Sequence, residues 1–339
     1  MDYDPIPDIQ KLGYTFREAS FLYLVGIHSG YFLRRQFNRN IKRELGALSQ
    51  QFLEKADGLG HVRTLEYRQK RYVFQLTSKS IYYLLSDEVP PYQRLQRDQQ
   101  IKVQLMILDY VLDHPGTRFL PKPSDKLRFF GDTLRISREL LPRKVFSGAA
   151  QSTTPSYFAE HYPVAILPGF AGQRPLISFA FVDEGKQTLK PFRAFLVQYA
   201  PLLQSLSRFE IVYVSDSTRN STGAARLFYE MMDGTRGGFT SEACSRDVNH
   251  FLLYLRARRL FEDNPDALSL EQYQLLREGE ATYTENQYEE IYAAWKRGRV
   301  TSSELRARYQ PKPVEASFRG YLMKASYPFC GPKYQGVAL

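Results

Sequence analysis

Between Arg34 and Lys79 the chain carries eleven basic residues: Arg34, Arg35, Arg39, Lys42, Arg43, Lys55, Arg63, Arg68, Lys70, Arg71 and Lys79. Against them stand four acids, Glu44, Glu54, Asp57 and Glu66. The surplus of seven is most of the formal +10 of the whole 339-residue protein. Clustered guanidinium and ammonium groups do one thing well, which is to displace counterions from a polyphosphate. Within the cluster, Arg43 and Gln50 are the candidates for reading base edges, because Arg suits guanine and Gln suits adenine. Arg34, Arg35, Arg39 and Lys42 are further candidates for contact, and Arg68, Lys70 and Arg71 are candidates for phosphate contact.

These side chains need elements to hold them. Thr15 and Glu18 have capping-box spacing, so a helix is expected from Phe16 to the stop at Ser29-Gly30. Tyr31-Phe32-Leu33 reads as a short extended piece, and Arg34 to Arg39 as a short helix. Ile41, Leu45, Leu48 and Phe52 recur at helical spacing, which predicts a third helix over Ile41 to Ala56. Its opposite face would carry Arg39, Arg43, Gly46 and Gln50. His61 to Tyr67 and Arg71 to Leu76 read as two strands joined by the polar turn Arg68-Gln69-Lys70. Thr77 caps a closing helix, Ser78 to Leu85.

Helix, short helix, longer helix, hairpin and helix is the order of the winged helix-turn-helix domain, in which a helix fills the major groove and a basic hairpin reaches the neighbouring backbone. Residues 15 to 86 resemble that superfamily. The phrase Arg71-Tyr72-Val73-Phe74-Gln75-Leu76-Thr77-Ser78-Lys79 is similar to its usual ending, where the second wing strand runs into a Thr-capped helix.

Asp87-Glu88-Val89-Pro90-Pro91 reads as a boundary, followed by a periodic helix, Leu95 to Asp113, stopped at His114-Pro115-Gly116. Phe119 to Glu160 shows no clear period. Beyond it come strands at Tyr162–Leu167, Leu176–Val182 and Phe209–Val214, with helices at Leu189–Leu206 and Gly223–Met232. This is the order of an α/β core. Residues from Asp247 onward read as helical, with a tail rich in Gly, Pro and Lys. The expected fold class is therefore α+β and multidomain, divided as 1–90, 91–240 and 241–339.

Tyr162 to Met232 resembles the restriction-endonuclease-like fold. In its active members, an acid on one strand and an acid-x-Lys on the next hold Mg²⁺ and activate water. Glu184-Gly185-Lys186 has that form and Asp183 adds a carboxylate, so Asp183, Glu184 and Lys186 are the catalytic candidates if the protein is a nuclease. The family would place the upstream acid after Pro168, where this chain has Gly169, and no Asp or Glu lies between His161 and Val182. The expected reading is a non-catalytic scaffold without metal or cofactor. A winged helix joined to such a core resembles the replication-relaxation family of plasmids and mobile elements. The resemblance rests on the N-terminal segment, the Leu95–Asp113 helix, the Pro168 turn, Val182-Asp183-Glu184-Gly185 and the helix ending Val197-Gln198-Tyr199.

Other chemistry is sparse. The five histidines, His28, His61, His114, His161 and His250, show no metal-ligand spacing, and His114 reads as a helix end. Ser215-Asp216-Ser217 follows a strand but has no His partner in view, and the glycines near Gly237 form no phosphate loop. Arg256, Arg258 and Arg259 line one helix side, while Tyr288, Ile291, Tyr292 and Trp295 form an apolar stripe expected to pack. Two cysteines, Cys244 and Cys330, make no disulfide framework. An acidic, proline-broken start and no long apolar run suggest a soluble cytoplasmic protein associated with nucleoid or plasmid. The function expected is duplex DNA binding without catalysis, as a regulator or an accessory replication or mobilisation factor. A homodimer is expected, and the C-terminal helices could meet a protein partner. The alternatives are a metal-dependent endonuclease and an adaptor that uses its winged helix on protein.

Overall fold

Thr15 opens the first long helix as its spacing predicts. Its backbone N–H donates to Glu18 Oε2 at 2.8 Å, and the Glu18 N–H donates back to Thr15 Oγ1 at 3.4 Å. The structure, a computed structural model, describes residues 4–43, 46–67, 71–85, 95–147, 153–159, 162–168, 175–183, 185, 188–234, 242–284, 286–309, 314–325 and 327. After a short α1 (Ile6–Gln10), the capped helix is α2 (Phe16–His28), followed by β1 (Tyr31–Phe32) and α3 (Arg34–Asn40). Next come α4 (Ala47–Gly58), the hairpin strands β2 (Val62–Tyr67) and β3 (Arg71–Leu76), and α5 (Lys79–Leu85). The three strands lie in the order β1-β3-β2, all antiparallel.

The helix expected over Ile41 to Ala56 is corrected. Residues 41–43 form a turn instead: the Arg43 N–H reaches back to Asn38 O at 2.9 Å, and Lys42 takes a left-handed φ of 55°. Such a reversal ends α3, so α4 begins only at Ala47. Five phenylalanines fill the core beneath. Phe37 and Phe52 stack at 4.3 Å, Phe21 meets both edge-on, and Phe32 stacks on Phe74.

The long α6 (Asp98–Asp113) is buried on more than one side. Leu108 joins the phenylalanine core, whereas Ile101, Leu105 and Met106 pack with Val73 and with Ala180, Val182, Val212 and Val214 of the central sheet. A helix with apolar residues around its circumference is an interior element. The segment that showed no clear period holds β4 (Arg118–Phe119), α7 (Pro123–Leu127), a π-helical turn at Arg128–Thr133 and a hairpin of β5 (Arg143–Ser147) and β6 (Thr153–Tyr157). The central sheet then adds β7 (Val164–Leu167), β8 (Leu176–Val182), α8 (Lys190–Ser205), β9 (Arg208–Ser215) and α9 (Ser221–Gly234).

Beyond α9 come α10 (Glu242–Asp263), α11 (Leu270–Thr282), α12 (Asn286–Lys296) and α13 (Ser302–Tyr309). Helical structure does not run to the end of the chain. β10 (Glu315–Leu322) returns to the central sheet, whose order is β10-β9-β8-β7-β4. β8 and β9 are parallel, and β7 pairs antiparallel with β8 and with β4. The protein is thus mixed α and β with several sheets. Its contacts divide it into residues 1–225 with 316–339, and residues 226–315. α6 takes part in both cores of the first unit, and β10 belongs to its sheet. In the second unit, Phe251, Tyr254, Leu255, Leu276, Tyr283 and Tyr292 form a core, and Tyr288, Ile291 and Trp295 pack on it as their stripe predicts. No helix among the described residues is long and apolar enough to cross a membrane.

Candidate nucleic-acid interface

α4 is amphipathic by placement. Ser49, Phe52, Leu53 and Ala56 face inward, and Leu48, Gln50, Gln51 and Glu54 are exposed. Gln50 Nε2 donates to Glu54 Oε1 at 2.8 Å, a surface pairing one turn apart. Arg34 fixes the start of this helix, donating from Nε to Ser49 Oγ at 2.8 Å and from Nη2 to Gly46 O at 3.3 Å. The sequence puts Arg39, Arg43 and Gln50 on one helical face, and this too is corrected: Arg39 is on α3, Arg43 is in the turn, and only Gln50 is on α4.

The basic cluster is sorted by its partners. Arg35 grips Asp109 of α6 through both terminal nitrogens at 2.7 Å and lies over the Tyr327 ring. Arg39 forms an ion pair with Asp113. Lys55 pairs with Glu18 at 2.7 Å. These three cations are answered inside the fold. Lys42, Arg43, Arg63, Arg71 and Lys79 are exposed and have no side-chain partner among the described residues. Arg68 and Lys70, the remaining two of the cluster, lie outside the described residues.

The hairpin is held rather than free. Leu65 and Tyr67 pack with Val73 against α6, and the Tyr67 hydroxyl donates to Asp98 at 3.1 Å. Burial and the Asp98 charge together push the Tyr67 phenol well above its ordinary range, so it stays a donor. Sequence reasoning missed Asp98, Asp109 and Asp113. A signal was present: Asp109 interrupts an otherwise apolar run, and a fully buried acid implies a cation beside it.

At the C-terminal ends of β8 and β9, Asp183 is nearly buried. It accepts from Tyr213 Oη at 2.7 Å, Asn220 Nδ2 at 3.3 Å and the Gly185 N–H at 3.0 Å. Burial and that carboxylate push the Tyr213 phenol up. Lys102 pairs with Asp216 at 2.7 Å, both largely buried. Glu184 and Lys186 lie outside the described residues, and among those described no cluster of three His, Cys, Asp or Glu could hold a metal. Ser215 and Ser217 bond to their own loop, with Ser215 Oγ donating to Ser217 O at 2.8 Å.

Other expected surface groups are engaged. Arg258 clamps Glu289 at 2.7 and 2.9 Å and stacks over Tyr292, and Arg259 pairs with Asp263. Arg256 is exposed. His61 bonds Tyr14, His250 bonds Tyr283, and His161 lies outside the described residues. Comparison of the chain with family models, curated proteins and solved structures found no match.

Proposed function

We propose that this protein binds double-stranded DNA through residues 15 to 85, acting as a winged helix-turn-helix domain, with α4 as the helix that enters the major groove. One observation carries the reading: α4 exposes the amides of Gln50 and Gln51, and the turn at residues 41–43 before it presents two unanswered cations, Lys42 and Arg43. Amides read adenine edges and cations take phosphates, so the two halves of recognition come from successive parts of the chain. Arg63 and Arg71 extend the basic surface along the hairpin. Arg35 and Arg39 drop out of the contact set, because carboxylates already hold them.

The rest of the first unit, on this reading, is a non-catalytic scaffold resembling the restriction-endonuclease-like fold. The protein serves as a regulator or an accessory replication or mobilisation factor of a plasmid or mobile element, binding as a dimer. Selection of bound sequences from a random duplex pool tests it. A recurring motif, lost when Gln50 and Gln51 are both changed to Ala, supports the reading. Equal retention on duplex and on heparin would replace it with the adaptor role. Mg²⁺-dependent plasmid cleavage abolished by Glu184→Ala would replace it with a nuclease.

A further inference from the structure

A cavity of about 420 Å³ lies between the second half of α2, the end of α3 with its following turn, and the end of α6 with β4. Its size falls at the small end of the range for small-molecule sites, about 300–1,000 Å³. Ile27, Leu112 and Phe119 give it an apolar wall. Opposed in character are His28, Arg39, Lys42 and His114, which also line it. No Asp or Glu does.

The charges resolve on inspection. Arg39 is answered by Asp113, whose other oxygen accepts from the Tyr321 hydroxyl. Lys42 is not answered by any described residue. His114 Nδ1 faces the Tyr110 carbonyl at 2.7 Å, and a carbonyl only accepts, so Nδ1 carries the proton. His28 is only 6% exposed and has a ring contact with Phe119, but no hydrogen-bond partner among the described residues. Burial, with the charge of Lys126 second, holds its pKa down to about 3, so the ring is neutral and keeps one N–H to donate.

We propose that this cavity binds a small organic carboxylate with an apolar body, its head between Lys42 and His28 and its body against Ile27, Leu112 and Phe119. The site goes beyond the duplex reading and is tested without DNA. The full chain is titrated with 2-naphthoate, followed by fluorescence and by equilibrium dialysis, with neutral 2-naphthamide as the control. One saturable site per chain is expected, with the amide weaker by about ten-fold, the change one lost ion-pair-type contact brings. Lys42→Ala weakens naphthoate about ten-fold and leaves naphthamide unchanged. Ile27→Trp fills the cavity and abolishes both. If that variant does not fold, Leu112→Phe takes its place. Failure of 2-naphthoate to saturate, or equal binding of acid and amide by protein and Lys42→Ala variant alike, overturns the proposal.

Discussion

Arg35 and Asp109 meet as a fork on a fork, each terminal guanidinium nitrogen 2.7 Å from its own carboxylate oxygen. The Asp109 side chain is 1% exposed and also accepts from Tyr327 Oη at 2.8 Å. Removing the cation strands a buried anion, a loss on the order of 3 kcal/mol. Arg35→Ala is therefore expected to lower the urea midpoint clearly, while the salt dependence of DNA binding by the folded fraction stays as in the parent. A reduced salt slope with unchanged stability would place Arg35 on phosphate after all.

The exposed cations behave in the opposite way. Lys42→Ala and Arg43→Ala are each expected to lower the slope of log K against log salt by about 0.9, with little change in stability. Binding isotherms at several salt concentrations measure this. The double variant should lose close to the sum, since neither side chain shares a partner with the other.

His28 makes stability depend on pH. Its folded pKa, about 3, lies below the unfolded value, so between those limits the unfolded chain binds more protons. Stability from this group is complete above about pH 6.5 and is lost as pH falls toward the folded pKa, by roughly 1.4 kcal/mol per unit. Urea unfolding at pH 6.5, 5.5 and 4.5 should show a steeper loss for the parent than for His28→Leu. Parallel curves would mean that the ring titrates normally.

The second unit has its own test. A Cβ on Gly279 would fall 2.1 Å from the Tyr254 ring, where α11 crosses α10. Ala is the better helix former by about 1 kcal/mol, but displacing a buried ring costs more, about 1–3 kcal/mol. Gly279→Ala should therefore destabilise this unit. The only tryptophan, Trp295, lies on α12, so its fluorescence reports that transition directly.

Local chemistry was legible in the sequence and distant pairing was not. Thr15 and Glu18 announce their helix because both halves of the cap lie within four residues. The hairpin announces itself by two strand-like runs around a polar turn. The break at Lys42 is masked because Ile41, Leu45, Leu48 and Phe52 keep helical spacing across it, and the glycine that marks it, Gly46, falls on the helix face that this spacing implies. The basic cluster could be counted but not sorted, since Asp109 and Asp113, which claim Arg35 and Arg39, sit some seventy residues away. The ends of β8 and β9 show the same limit: Asp183 was legible as a carboxylate, but Tyr213 and Asn220, which occupy it, were not.

The edge strand β10 has a consequence for synthesis. Met323 donates its N–H to Ser215 O, joining parts of the chain more than a hundred residues apart. Until the ribosome has made β10, the β9 side of the sheet is a bare rim offering its backbone to any passing strand. A product ending near residue 300 would hold β9 without β10 and be sticky, so termination just before β10 should yield aggregate rather than a shortened working protein.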